Sequence, residues 1–153
     1  MSAKTHALLA AALALSACAS DPMGQGGPPS PPMADNGNDC AVIAAVAREH
    51  YRFGPDNVAP PLWLDDEGSG WAPRCDWSRY GVSFPRIHMP GVNRPASQPV
   101  QWVSFKRPRY DGRGAMIETG ILHGPLAGMG SECRVISGFA GWTVGECKGT
   151  WIS

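Results

Sequence analysis

Residues 39–153 predict an α+β domain: one N-terminal helix packed on an antiparallel meander of about four strands, stapled by disulfides. Three observations predict it. Apolar side chains recur at helical spacing after residue 38. Beyond residue 100 the chain alternates apolar and polar residues between turn-forming pairs. Four cysteines, an even number, are spread through the segment.

In chain order, Asn38 or Asp39 is the expected N-terminal cap of a helix reaching about Arg52. Ile43, Val46, Ala47 and His50 or Tyr51 form its buried stripe, and Gly54-Pro55 ends it. Prolines at 55, 60, 61, 73, 85, 90, 95 and 99 make residues 55–99 irregular, with short extended pieces at 62–64, 75–77 and 82–84. Pro85 restricts the last of these to an edge strand or a loop. Val100–Lys106 then alternates as a strand, and Asp111-Gly112 marks a tight turn. Ala115, Ile117, Thr119 and Ile121 form one face of the next strand. Gly124-Pro125 and Gly128-Met129-Gly130 read as a loop, and a hairpin follows over 131–148.

If Phe139-Ala140-Gly141 is a three-residue hairpin loop with Gly141 left-handed, Cys133 and Cys147 face each other within bridging range. Spacing thus favours Cys133–Cys147, and Cys40–Cys75 follows by elimination. A zinc site is the alternative, disfavoured because no Cys-x-x-Cys and no close Cys/His pair occurs in the sequence. No cofactor and no metal are expected.

Upstream of the domain, Met1–His6 is short and polar with one cation, Lys4, and Ala7–Leu15 is an unbroken apolar run. Nine helical residues rise about 14 Å against a bilayer core of about 30 Å, so this run serves as an export signal and not as a permanent span. It leads into Leu15-Ser16-Ala17-Cys18. That tetrad resembles the lipobox of bacterial prolipoproteins. The resemblance implies removal of residues 1–17, thioether attachment of diacylglycerol to Cys18, and acylation, often with palmitate, of the new amino group. Ala19, in place of Asp, then implies the outer membrane, facing the periplasm, in a Gram-negative cell. Ordinary secretion with cleavage near Ala17 or Ala19 is the alternative. Residues 18–38 form a tether: Pro22, Pro28, Pro29, Pro31 and Pro32 alternate with glycines, and the only large apolar side chains are Met23 and Met33.

The chain has a formal net charge of zero, unevenly placed. Seven acids lie between Asp35 and Glu67 against Arg48 and Arg52, and eight bases lie between Arg74 and Arg113 against Asp76 and Asp111. The two halves either mix their charges on one surface or present a basic face to an anionic envelope component or an envelope protein. Nucleic acid is not an expected partner of a neutral, exported chain.

Catalytic signatures are missing: the sequence has no Gly-x-Ser-x-Gly, no Ser-x-x-Lys and no His-Glu-x-x-His, so no catalytic residue is assigned. Three histidines follow the signal segment: His50, His88 and His123. Asp65-Asp66-Glu67 reads as a solvated loop in preference to a weak calcium site. Lys106, Arg107, Arg109 and Arg113 form the strongest basic cluster and a possible anion-binding patch at a hairpin tip. Of six tryptophans, Trp102, Trp142 and Trp151 fall in strands and are assigned to the core. Trp63, Trp71 and Trp77 either line a groove for a glycan or a peptide, or act as lids over a core short of aliphatics.

A second resemblance spans about the last 50 residues. Ser104-Phe105-Lys106-Arg107-Pro108, Asp111-Gly112, Ala115, Gly128-Met129-Gly130, Trp142-Thr143-Val144 and Trp151-Ile152-Ser153 follow in order. This layout is similar to a family of exported bacterial proteins of uncharacterised activity that end in Trp-Ile-Ser. The resemblance implies the meander and no particular chemistry. The expected function is a lipid-anchored envelope domain with a non-catalytic binding or structural role. The alternatives are a small envelope hydrolase or glycan-processing enzyme using His88 or His123 with Asp76 or Glu118, and an inhibitor of lytic enzymes.

Overall fold

The computed structural model describes residues 37–91 and 100–153. The export signal, Cys18, nearly all of the tether and residues 92–99 lie outside the described residues. Helix α1 runs Gly37–Glu49, ending three residues earlier than expected. The amides of His50 and Tyr51 both bond back to the Val46 carbonyl at 3.0 and 3.2 Å, and the Phe53 amide reaches Ala47 at 2.9 Å. The left-handed residue that turns the chain is Arg52 (φ 61°), not Gly54. The Asn57 side-chain amide holds the turn by donating to the carbonyls of Tyr51 and Arg52.

The buried surface of α1 is wider than one stripe: Val42 to Ala47 are all buried. The helix is contacted by the 3-10 turn Trp77–Tyr80 as well as by the sheet, and the Cys40–Cys75 disulfide ties the first turn of α1 to the loop before that 3-10 turn. This segment, expected to be extended at 75–77 and 82–84, forms neither strand.

The sheet has six strands: β1 (Leu62–Asp65), β2 (Trp102–Lys106), β3 (Arg109–Asp111), β4 (Gly114–Gly124), β5 (Ala127–Gly138) and β6 (Gly141–Ile152). Their order is β1-β2-β4-β5-β6, with β3 also pairing β4. The fold is α+β as expected, but the strand count exceeds four and the sheet is mixed, because β1 runs parallel to β2. Two physical features account for the excess. Pro108, with no N–H to give the ladder, splits one long strand into β2 and β3, and the register against β4 shifts by one residue across the break. Leu62–Asp65 then pairs with the outer edge of β2, and backbone bonds from Leu62 to Arg86 and from His88 to Leu62 extend that side.

Two turns also differ from expectation. Gly128-Met129-Gly130 is not a loop but part of β5, paired with Leu122, Ile121 and Gly120 in that order. The last hairpin closes through the two-residue turn Phe139-Ala140, with Gly138 opposite Gly141. The extra residue that brings Cys133 opposite Cys147 sits instead at a bulge at Gly145, between the Arg134–Glu146 and Val135–Val144 pairs. Both disulfides, Cys40–Cys75 and Cys133–Cys147, are as the spacing predicts.

Strand alternation divides the sheet into two unlike faces. Val103, Phe105, Ala115, Ile117, Ile121, Cys133 and Val135 are buried in the core with α1. Across that core the Tyr51 hydroxyl meets Thr119 Oγ1 at 3.1 Å, while Thr119 donates to the Ser104 carbonyl at 2.7 Å. Thr119 has one proton to give, so Tyr51 is the donor to Thr119. Burial pushes the Tyr51 phenol up to about 12. The other face carries Trp63, Asp65, Trp102, Ser104, Lys106 and Glu118, all half-buried. No helix among the described residues is long and apolar enough to cross a membrane.

Candidate functional site

Three glycines set up the open face. Gly120 pairs with Gly130, and Gly128 pairs with Leu122, so a patch of sheet lacks side chains. Trp151 of β6 lies over it. A Cβ placed on Gly120 would meet the Trp151 benzo ring at 3.0 Å, one on Gly128 the same ring at 3.0 Å, and one on Gly130 the pyrrole nitrogen at 1.9 Å. Contacts spread over both rings mean that the indole lies face-down on the sheet. Its upper side is open, and Trp151 is 41% exposed. Trp151 is therefore not a core residue: the glycines leave no depth into which it can sink.

Beside this platform, Trp63 and Trp102 meet edge-to-face at 5.2 Å, and His88 packs against both at 5.9 and 6.4 Å. Between Trp151 and this pair runs an open groove of about 330 Å³, lined also by Asp65, Ser104, Lys106, Glu118 and Thr150. That volume falls at the lower end of small-molecule sites, roughly 300–1,000 Å³. Register explains the convergence: Trp63 pairs with Ser104, Asp65 with Lys106 and Ser104 with Gly120.

The charged end of the groove is a lattice of alternating signs. Lys106 bridges Glu67 at 2.6 Å and Glu118 at 3.0 Å, and Arg109 bridges Glu118 at 3.2 Å and Glu132 at 2.7 Å. Glu118 and Glu132 are direct cross-strand partners, a repulsive pairing that Arg109 offsets by touching both. The Lys106 hydrogen bond, followed by that of Arg109, holds the Glu118 carboxyl below its ordinary range. Of the expected basic cluster, Lys106 and Arg109 thus carry acids on the sheet face, and only Arg113 sits in the β3–β4 turn. The mixing of charge between the halves is visible in the Glu67–Lys106 contact.

The structure does not bring Trp63, Trp71 and Trp77 together. Trp71 is buried, its indole N–H donating to Asp39 at 2.8 Å. Trp77 packs on Phe84 at the core margin. Only Trp63 reaches the groove. Trp142 is half-buried and stacks edge-on against Tyr110.

Asp39 itself is not a helix cap. It is 1% exposed and accepts hydrogen bonds from Trp71 and from the Tyr110 hydroxyl. It stands in the first turn of α1, where the helix dipole favours a negative charge. Burial, followed by this hydrogen bond, raises the pKa of Tyr110.

Compared with family models, curated proteins and solved structures, the chain matches none of them. The chemistry of the site rests on its own residues. The carboxylates considered for hydrolysis are engaged elsewhere: Glu118 with its two cations, and Asp76 with the Ser78 hydroxyl at the start of the 3-10 turn. His123 is exposed near the end of β4, and its carbonyl accepts from Gln101. Asp66 is bound into its own loop by the amides of Gly68 and Gly70.

One juxtaposition was invisible in the sequence. A ring nitrogen of His50 and the sulfurs of Cys133 and Cys147 lie within 4.8 Å of one another. The thiolates a metal would need are joined there in the disulfide. Burial lowers the pKa of His50.

Proposed function

We propose that this chain is a lipid-anchored lipoprotein of the bacterial cell envelope, in the outer membrane facing the periplasm if the cell is Gram-negative. Its domain is a non-catalytic binding module. The anchor reading rests on Leu15-Ser16-Ala17-Cys18 behind a nine-residue apolar run. The observation that carries the binding reading is the aromatic groove on the sheet face opposite α1, an open concavity with an exposed indole and several polar groups. Two disulfides in a small domain are in keeping with an oxidising compartment.

The test of the address is acylation. Expressed in a diderm bacterium fed labelled palmitate, the protein should carry the label and fractionate with membranes. Cys18→Ser should abolish both and leave the signal uncleaved at that site. An unlabelled product recovered in the soluble periplasm would refute the anchor.

A further inference from the structure

The groove is specific enough in its chemistry to name a ligand class. Trp151 is seated on backbone at Gly120, Gly128 and Gly130, so its lower side is fixed and its upper side is a rigid apolar platform. Trp63 and Trp102 form a second aromatic wall. Such surfaces suit a planar apolar face carrying polar groups at its rim. A gluco-configured pyranose has that shape: its hydroxyls are equatorial, and its axial C–H bonds point at whatever lies above and below the ring.

The polar groups narrow the class. Asp65 and Glu118 are acceptors, Ser104 and Thr150 are hydroxyls, and the groove's cation, Lys106, is already held between Glu67 and Glu118. Lys106 and Arg109 are taken up by Glu67, Glu118 and Glu132, and Asp65 adds a further acid, so the groove does not attract a polyanion. Sugar hydroxyls donate to carboxylates with no charge conflict. A proline-rich peptide fits an aromatic groove, but proline rings bring no donors to these acceptors.

We propose that the groove between Trp151 and the Trp63–Trp102 pair binds an uncharged gluco-configured glycan, one pyranose stacked on Trp151 with a hydroxyl donating to Asp65. This rests on the binding-module reading above and names the ligand class of that site.

The test is a titration of the full chain, held in a detergent without a sugar headgroup, followed by calorimetry and tryptophan fluorescence. The probes are chitotetraose and cellotetraose, a sulfated heparin tetrasaccharide, and the peptide Pro-Pro-Ser-Pro-Pro. At least one uncharged oligosaccharide should bind saturably with a Kd of about 1 mM or tighter, and the sulfated one should not. Trp151→Ala should weaken binding at least about tenfold. Gly130→Ala, which displaces the indole without removing it, should do the same. Phe139→Ala, at the far hairpin tip, should retain full affinity, and near-ultraviolet dichroism should show each variant folded.

Absence of binding by both uncharged oligosaccharides overturns the proposal, as does equal affinity in Trp151→Ala. Preference for the sulfated sugar overturns it as well. Binding of the peptide alone removes the glycan while leaving a binding module, and the palmitate result is independent of all these outcomes.

Discussion

At the scale of the residue, the polar atoms that organise this fold are few and buried. Asp39 accepts from an indole and a phenol that come from two different parts of the chain. Asp39→Ala removes the acceptor and strands the buried Trp71 N–H, while the more exposed Tyr110 loses a partner, so a loss of about 2 kcal/mol is expected, readable as a lower urea midpoint with an unchanged slope. Nothing in the sequence distinguished Asp39 from an ordinary helix cap, because its partners are 32 and 71 residues away. His50 gives a second prediction. Its folded pKa lies below the ordinary 6.5 because burial disfavours the imidazolium. The unfolded chain therefore binds the proton more readily. Stability should be full above pH 6.5 and decline as pH falls below it, levelling once the folded imidazole protonates too. Glu49 and Arg52 share its surroundings. His50→Gln should flatten this part of a plot of melting temperature against pH, and an unchanged slope would assign the acid sensitivity to the carboxylates.

At the scale of the element, strand and helix were legible wherever the local pattern was strong. Ala115, Ile117, Thr119 and Ile121 alternate, and they do form the inner face of β4. The segment between α1 and β2 was legible only at 62–64, where the expected extended piece is β1; its parallel pairing with β2, and the absence of strands at 75–77 and 82–84, depend on partners distant in sequence. Gly128-Met129-Gly130 was misread for a related reason. Glycines within a strand mark close approach of another group, and here that group is Trp151, more than twenty residues on. The aromatic groove was half legible: a glycan-binding groove was among the readings of the early tryptophans, but only Trp63 of those three belongs to it. Gly114 makes the sharpest prediction for an element. It has φ +140°, and an added Cβ would fall 2.1 Å from the Val135 carbonyl oxygen. Gly114→Ala should cost about 3 kcal/mol or more, with amide exchange accelerated first across the β4–β5 pairs. Gly112→Ala, two residues away with open space around it, should be close to neutral.

At the scale of the whole molecule, the described domain is two-sided: a helix-covered face for stability and an open face carrying the groove. The disulfides both serve the covered side, and their loops differ in length, with sequence separations of 35 and 14. In the chain-entropy account, replacing Cys40 and Cys75 by Ser should cost about 4 kcal/mol, and replacing Cys133 and Cys147 about 3 kcal/mol. Guanidinium melts of the two double variants check both the order and the size. β6 ends the sheet, and its outward edge is irregular. Register shifts interrupt it at two places, Glu146 and Lys148 are charged, and the Val144 amide is already taken by the Glu49 carboxylate at 2.7 Å. A ladder so broken offers a neighbouring copy no continuous row of donors and acceptors. Copies that jostle at high density can therefore meet along this edge without extending the sheet from one to the next.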